Sequence, residues 1–297
     1  MCEELTILKN FREEYRDIYK LLLFDHTTRK NIVWATRRYD SDRKQYYYDY
    51  DEINDDFLSL ETQDIKSRYT KKREDQRHRS QEKAEVFTPV WVCNAQNNLI
   101  DNAWFEKCDV FNIQNKDHTW TTNKEKIIFP PNKDWKKYVR SVRMEITCGE
   151  APYMTSRYDM TSGVLIPFED RVGFVDRKLR IVNENASSNA EWNKFVQEAF
   201  KSSYGYELQG DSLLLARENL LFTYIEHYYN RYKKIPPKQS LKYIAYIISW
   251  NLWQMDGLTF SVPVPDSPDT PAVFCKIRDW KKKKKTIVEF RNLLKSK

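Results

Sequence analysis

Apolar positions recur with helical spacing at the start of the chain, where Leu5, Leu8, Phe11, Tyr15, Tyr19 and Leu22 share one side of a helix expected over residues 1–25. Residues 31–39 (NIVWATRRY) are rich in β-formers, and residues 40–56 are acidic and tyrosine-rich, a composition suited to loop and edge structure. A mixed-charge stretch over 66–83 reads as an exposed helix. Thr88 is placed as an N-cap, and Pro89 suits a first helical position because its missing N–H would be unpaired there anyway, so a helix is expected from Pro89 to about Glu106. Residues 142–146 read as a strand. Two further helices, 189–201 and 210–232, flank a short strand at 204–207. Pro236-Pro237 interrupt the pattern, which resumes over 239–252, and residues 258–262 read as a strand before the proline-rich PVPDSPDTP.

Short strands alternating with long helices predict an α/β fold. There is no internal repeat. The pattern divides into an N-terminal helical or α+β region (1–84), a central α/β domain (85–265) and a basic C-terminal segment (266–297). The 297 residues are 40% hydrophobic and 14% aromatic, enough apolar material to exclude a mostly disordered chain. The longest apolar run, 243–253, carries Ser249 and Asn251 and falls short of the ~20 residues that span a bilayer, so no membrane association is expected. The opening residues are charged from Glu3 onward, unlike a secretory signal. Cysteines 2, 93, 108, 148 and 275 are odd in number and lack CxxC spacing, which reads as reduced thiols and a cytoplasmic setting.

The net charge of +7 is local. Residues 276–297 hold ten lysines and arginines against Asp279 and Glu289, a surplus of +8, leaving −1 for the preceding 275 residues. The run of lysines at 281–285 suits phosphate contacts, and equally a solvated turn.

Glycine is scarce, six residues in all, and four of them fall in three strings: MEITCGEAPY (Gly149), SSYGYELQGDSLLLARENLL (Gly205, Gly210) and ISWNLWQMDGLTF (Gly257). Each string sets an acid beside a glycine near a strand end. Glu145 precedes Cys148-Gly149, where the chain approaches a ligand closely; Glu207 stands at a strand tip, suited to two ribose hydroxyls; Asp256 precedes Gly257. In order, the three acids suggest one adenosine-type ligand across the carboxyl edge of a sheet.

The ordered set EVFTP plus helix, E-x-x-C-G-E, Y-G-x-E with L-x-L-A-R-E-N-L, and Q-M-D-G-L resembles S-adenosylmethionine-dependent adenine-specific DNA methyltransferases, above all the short modification (M) subunits of restriction systems. The resemblance covers roughly residues 80–260. It implies a Rossmann-like class I methyltransferase sheet with helices on both faces. It also implies S-adenosylmethionine as cofactor, DNA as partner, and a restriction-modification or phage-defence context with a possible partner subunit. By motif, Phe87, Thr88 and Pro89 would open the cofactor site near the methionine part. Glu145, Cys148 and Gly149 would pass under the methionine and ribose, Glu207 would bind the ribose hydroxyls, and Asp256 would face the adenine.

The chain departs from that pattern in three places. Ala151, followed by Pro152, stands where the loop normally has its second glycine. Glu145 and Glu207 are 62 positions apart against about 20 between glycine loop and acid in a compact nucleotide fold, which implies an insertion within 155–200. No Asn-Pro-Pro-Tyr-type loop, which would hold and stack a flipped adenine, follows Asp256. Pro130-Pro131 and Pro236-Pro237 precede that position, and Asp279-Trp280 offers an acid and a ring without the prolines.

Each residue also has a plainer reading. Glu207 suits a helix N-terminus, Asp256 a turn, residues 87–89 an ordinary helix start, and Cys148 a small neutral lining rather than a nucleophile. The four histidines and five cysteines show no metal-ligand spacing, and Pro265-Asp266 has no downstream acid-x-lysine partner for a nuclease site. Two functions follow: an adenine N6 methyltransferase, or a catalytically silent nucleic-acid-binding or regulatory subunit with that fold.

Overall fold

The centre of the molecule is a parallel sheet, which requires crossover connections long enough to carry helices. The computed structural model describes residues 14–36, 38–40, 45–54, 65, 67, 69, 88–263, 271–284 and 286–294. Phe87, most of the mixed-charge stretch 66–83 and the first half of the N-terminal helix lie outside them. Among the described residues the chain is mixed α/β. It opens with α1 (Arg16–Leu23), the hairpin β1 (Phe24–Asp25) and β2 (Lys30–Asn31), and the hairpin β3 (Arg38–Asp40) and β4 (Gln45–Tyr47). Next come α2 (Val90–Phe105), the hairpin β5 (Asn112–Gln114) and β6 (Trp120–Thr122), and α3 (Trp135–Val139).

The central strands are β7 (Arg143–Glu145), β8 (Ser203–Glu207) and β9 (Leu252–Gln254), parallel and in that order. The crossover from β7 to β8 carries α4 (Phe174–Asn185) and α5 (Asn189–Lys201); that from β8 to β9 carries α6 (Gly210–Tyr232) and α7 (Lys238–Asn251). A last hairpin, β10 (Lys276–Arg278) and β11 (Ile287–Glu289), leads into α8 (Phe290–Leu294).

The period-2 alternation of strands sorts side chains to two cores. Gly205 and Leu252 turn to the large cluster, built mostly from helical residues such as Leu179, Trp192, Leu213 and Ile248. Tyr206 and Trp253 turn the other way, onto Ile277, Cys275 and Phe290 of the C-terminal hairpin and α8. Residues 276–294 are therefore folded onto the sheet.

Several expectations shift. The second long helix begins at Val90, with Pro89 as its N-cap and no capping bond from Thr88. Its first free N–H, that of Val90, is accepted by Asp159 Oδ2 at 2.9 Å, so the cap comes from a residue 69 positions away. Residues 258–262 are a turn instead of a strand, with one bridge, Ser261 to Phe274. The helix expected over 239–252 ends at Asn251, and Leu252 already belongs to β9. That switch is held by Asn251, whose Nδ2 donates to the Phe200 and Ser203 carbonyls at 2.8 and 2.9 Å, tying the helix end to the start of β8. The helices expected over 189–201 and 210–232 occur with those bounds. The extra length between Glu145 and Glu207 is a loop through 146–173 followed by α4 and α5.

Candidate site at the carboxyl ends of the parallel strands

The three acids singled out in the sequence stand side by side where β7, β8 and β9 end. Glu145 closes β7 and Glu207 closes β8, while Asp256 lies two residues beyond β9. The Met255 N–H donates to the Glu207 carbonyl at 3.0 Å, carrying the ladder to the last residue before Asp256.

Between Glu145 and Met154 the chain makes a tight loop in which Thr147, Gly149 and Ala151 all have positive φ (46°, 53° and 65°). Only glycine takes that conformation freely, so Ala151 holds, under strain, the backbone shape that a second glycine would give without cost. The loop is pinned to β8. The Cys148 N–H donates to the Tyr206 carbonyl and the Gly149 N–H to Glu207 Oε2, both at 2.8 Å. Glu207 Oε1 accepts from Leu208 N and Gln209 N at 2.8 and 3.1 Å. A Cβ on Gly149 would meet no heavy atom within 4 Å, which leaves open space against the loop backbone beside Glu207.

The acids differ in what they face. Glu145, 7% exposed, accepts from Tyr153 N and Met154 N at 3.2 and 3.0 Å, so it shapes the loop from within. Asp256 Oδ1 accepts from Leu258 N at 2.7 Å in a turn that leaves Leu258 92% exposed. Cys148 is buried, and burial, reinforced by Glu145 and Glu207, holds its thiol well above the usual range, so it is a neutral lining group rather than a thiolate nucleophile. Thr88 and Pro89 stand at the start of α2, which meets the same loop through Asn97, whose Nδ2 donates to the Tyr153 carbonyl at 3.0 Å.

Gly205 and Gly210 serve packing. A Cβ on Gly205 would come within 2.6 Å of the Met154 methyl, and one on Gly210 within 2.0 Å of the Val33 carbonyl, where the N-terminal segment crosses the start of α6. Gln254 fixes that crossing. Its Oε1 accepts from Val33 N at 2.9 Å, and its Nε2 donates to the Val33 and Leu208 carbonyls, each at 2.7 Å.

Burial raises the Glu145 carboxyl to about 8, outweighing the two N–H donors that favour its anion. The folded protein therefore keeps a proton that the unfolded chain has lost. Glu145's contribution is complete below the ordinary glutamate range and declines as pH rises towards 8. Half-buried His26 and buried His227, each lowered to about 3 chiefly by desolvation, act oppositely below 6.5. Between pH 6.5 and 8 Glu145 alone is expected to lower stability by up to about 1.4 kcal/mol per pH unit, while buried Lys178, held well below its usual range, acts in the opposite direction. Glu145→Gln is expected to flatten that decline, as read from urea midpoints across the window.

Sequence reasoning missed a buried polar cluster joining the loop to α6. Tyr158 Oη donates to Glu150 Oε2 at 2.6 Å, and Asn219 Nδ2 donates to the Glu150 carbonyl and Tyr158 Oη at 3.0 and 3.1 Å. Glu226 accepts from Arg157 Nη2 at 2.8 Å and pairs with Arg171. The available signal was Arg217-Glu218-Asn219 inside a leucine-rich helix, since polar groups there must find partners.

Asp279 and Trp280 belong to the other end of the sheet. Trp280 Nε1 donates to Asn251 Oδ1 at 2.6 Å, immediately before β9, so this pair does not stand at the Asp256 edge. Among the described residues no group of three His, Cys, Asp or Glu is arranged to hold a metal ion, and no helix is long and apolar enough to cross a membrane. The chain matches no protein-family model, and neither the curated proteins nor the solved structures contain a significant match to it.

Proposed function

We propose that the chain is an S-adenosylmethionine-binding, adenine-specific DNA methyltransferase-like protein whose three parallel strands are half of a Rossmann-like sheet. The observation that carries this reading is the side-by-side placement of the Cys148-Gly149 loop, Glu207 and the Asp256 turn at one carboxyl edge, where open-sheet folds bind nucleotides. The residues fit the cofactor. The free space over Gly149 admits a ligand against the backbone, and Glu207 Oε2 accepts a single bond, leaving acceptor capacity for a ribose hydroxyl. Asp256 would border the adenine. When bound, the cofactor supplies an electrophilic methyl group; the chain's own part is to hold and orient it. Binding of S-adenosylmethionine or S-adenosylhomocysteine to the full chain tests the reading, and absence of heat or thermal shift with both would overturn it.

A second observation favours a version in which another subunit completes the acceptor side. Among the described residues β7 pairs with β8 alone, and Val142, Met144 and Ile146 along it are exposed. An exposed edge of this kind is a template for a further strand. Restriction-modification or phage defence is the setting in which such a partner subunit, and DNA as substrate, would be found. Tritium transfer from labelled cofactor to mixed DNA by the chain alone would overturn this version and support self-sufficient methylation.

A further inference from the structure

The basic excess is gathered at the opposite end of the sheet from the strand-end site. The turn of the last hairpin closes with Asp279 N donating to the Thr286 carbonyl at 2.7 Å, and it carries Lys281, Lys282, Lys283 and Lys284, all exposed. Its position is fixed by Trp280 on Asn251 and by Tyr204 Oη, which donates to the Arg278 carbonyl at 3.1 Å. The buried Lys178 ammonium donates to the Ser141 and Ser202 carbonyls at 2.7 and 3.2 Å, just before β7 and β8. Asn251 directly precedes β9 and Tyr204 lies at the start of β8, so the Trp280 and Tyr204 bonds set the base of the lysine turn beside the strand starts.

From there Lys201 and Arg140, both paired with Glu198, lead on to α3 and α5. Lys201 Nζ lies 5.6 Å from the Trp280 ring centre and 4.0 Å from Glu198, which also pairs with Arg140 at 3.1 Å. Arg140 stacks at 4.9 Å on Phe195, a ring that Lys136 and Lys194 also approach, at 5.2 and 5.8 Å. These last residues line an open cleft of ≈ 470 Å³ together with Ala190 and Glu191. Along this ridge eight cations face three carboxylates, Glu191, Glu198 and Asp279, a surplus of five.

We propose that this amino-edge ridge, the lysine turn joined to the cleft between α3 and α5, binds the phosphate backbone of duplex nucleic acid. Charged residues make up most of the cleft lining, with Lys136, Arg140, Glu191 and Lys194 beside Ala190 and Phe195, whereas the centre of a protein interface is depleted of charge. Within the cleft, Phe195 is buried beneath cations and offers no face for stacking an unpaired base. What remains is an array of cations in excess over the three carboxylates they pair with, suited to phosphates spaced along a helix and indifferent to sequence. A duplex held here lies on the far side of the sheet from Glu207 and Asp256, so the ridge tethers nucleic acid and does not present a base to the strand-end site.

The test is fluorescence anisotropy of a labelled short DNA duplex with the full chain at several salt concentrations. K281Q/K282Q/K283Q/K284Q removes exposed charges, and R140Q/K194Q removes those of the cleft. Each set is expected to weaken binding by about tenfold or more at ~0.1 M salt, and to lower the slope of log affinity against log salt by about 0.9 per lost phosphate contact. Both sets are expected to keep whatever response the parent shows to S-adenosylmethionine, so the ridge and the strand-end reading fail separately. Unchanged affinity and slope in either set would overturn the proposal. So would tighter binding of a single strand of the same length, or lysine-dependent binding to anionic phosphatidylglycerol vesicles with none to the duplex.

Discussion

Replacing Asp101 by alanine is expected to cost about 3–5 kcal/mol of unfolding free energy, because it strands two buried guanidinium groups. Asp101 lies on α2 and is 1% exposed. Its Oδ2 pairs with Arg177 Nη1 at 2.6 Å, and its Oδ1 pairs with Arg143 and accepts from Tyr138 Oη at 2.9 Å. Arg177 also donates to Asn94 Oδ1 at 2.7 Å, and Asn94 exchanges amide bonds with Asn112 at 3.0 and 2.9 Å. One carboxylate thus joins α2, α3, β7 and α4. Asp101→Asn keeps the shape and part of the bonding and is expected to lose less. Urea unfolding of both variants measures the difference, and a loss below 1 kcal/mol for the alanine would show that the network carries little of the stability.

The second large effect is expected at Arg217, in the middle of the LARENL string. Its guanidinium is fully buried, and every partner it has is a backbone carbonyl: Leu252 at 3.0 Å from Nε and 2.7 Å from Nη2, Ser249 at 3.4 Å, Phe24 at 3.2 Å, and Leu22. Four carbonyls from the end of α1, the start of β1, the end of α7 and the start of β9 converge on one side chain. Arg217→Ala leaves those carbonyls without their donor and opens a cavity, at about 1–3 kcal/mol for each buried group so orphaned. A total near 4 kcal/mol or more is expected from urea unfolding. Limited proteolysis should then cut first in the N-terminal segment, since α1 loses its tie to the body. Arg217→Lys keeps the charge without the planar fork and is expected to recover only part of the loss.

Both residues lie within or beside strings that drew attention in the sequence, yet neither faces the strand-end site. The long helices were legible because their apolar periodicity runs for three turns or more; α5 and α6 occur with the bounds the pattern gives. Strand β9 was not legible, because Leu252–Gln254 is three residues long, buried on both faces, and continues straight from a helix. Thr88 misled for a different reason: the cap of α2 is supplied by Asp159 through tertiary contact, which no local signal reveals. Of the glycines, Gly149 borders free space in the loop while Gly205 and Gly210 admit close packing, and composition alone does not separate those uses. The basic excess read as a tail is a hairpin turn, fixed through Trp280 and Tyr204.

The strand-end acids also separate into kinds. Glu145 is buried and turned to its own loop, whereas Glu207 is half-buried and keeps acceptor capacity at the open edge. Glu207 is therefore the residue on which cofactor binding should depend most. Glu207→Gln retains an oxygen that can accept from loop N–H groups but loses the anion suited to paired hydroxyls. Calorimetric titration of S-adenosylmethionine into the full chain and into Glu207→Gln is the most direct measurement. Saturable heat at one site per chain, with affinity at least tenfold weaker in the variant at a temperature where both chains remain folded, is the expected result; no heat with the parent chain, or equal affinity in both, would contradict the assignment of this edge as a cofactor site.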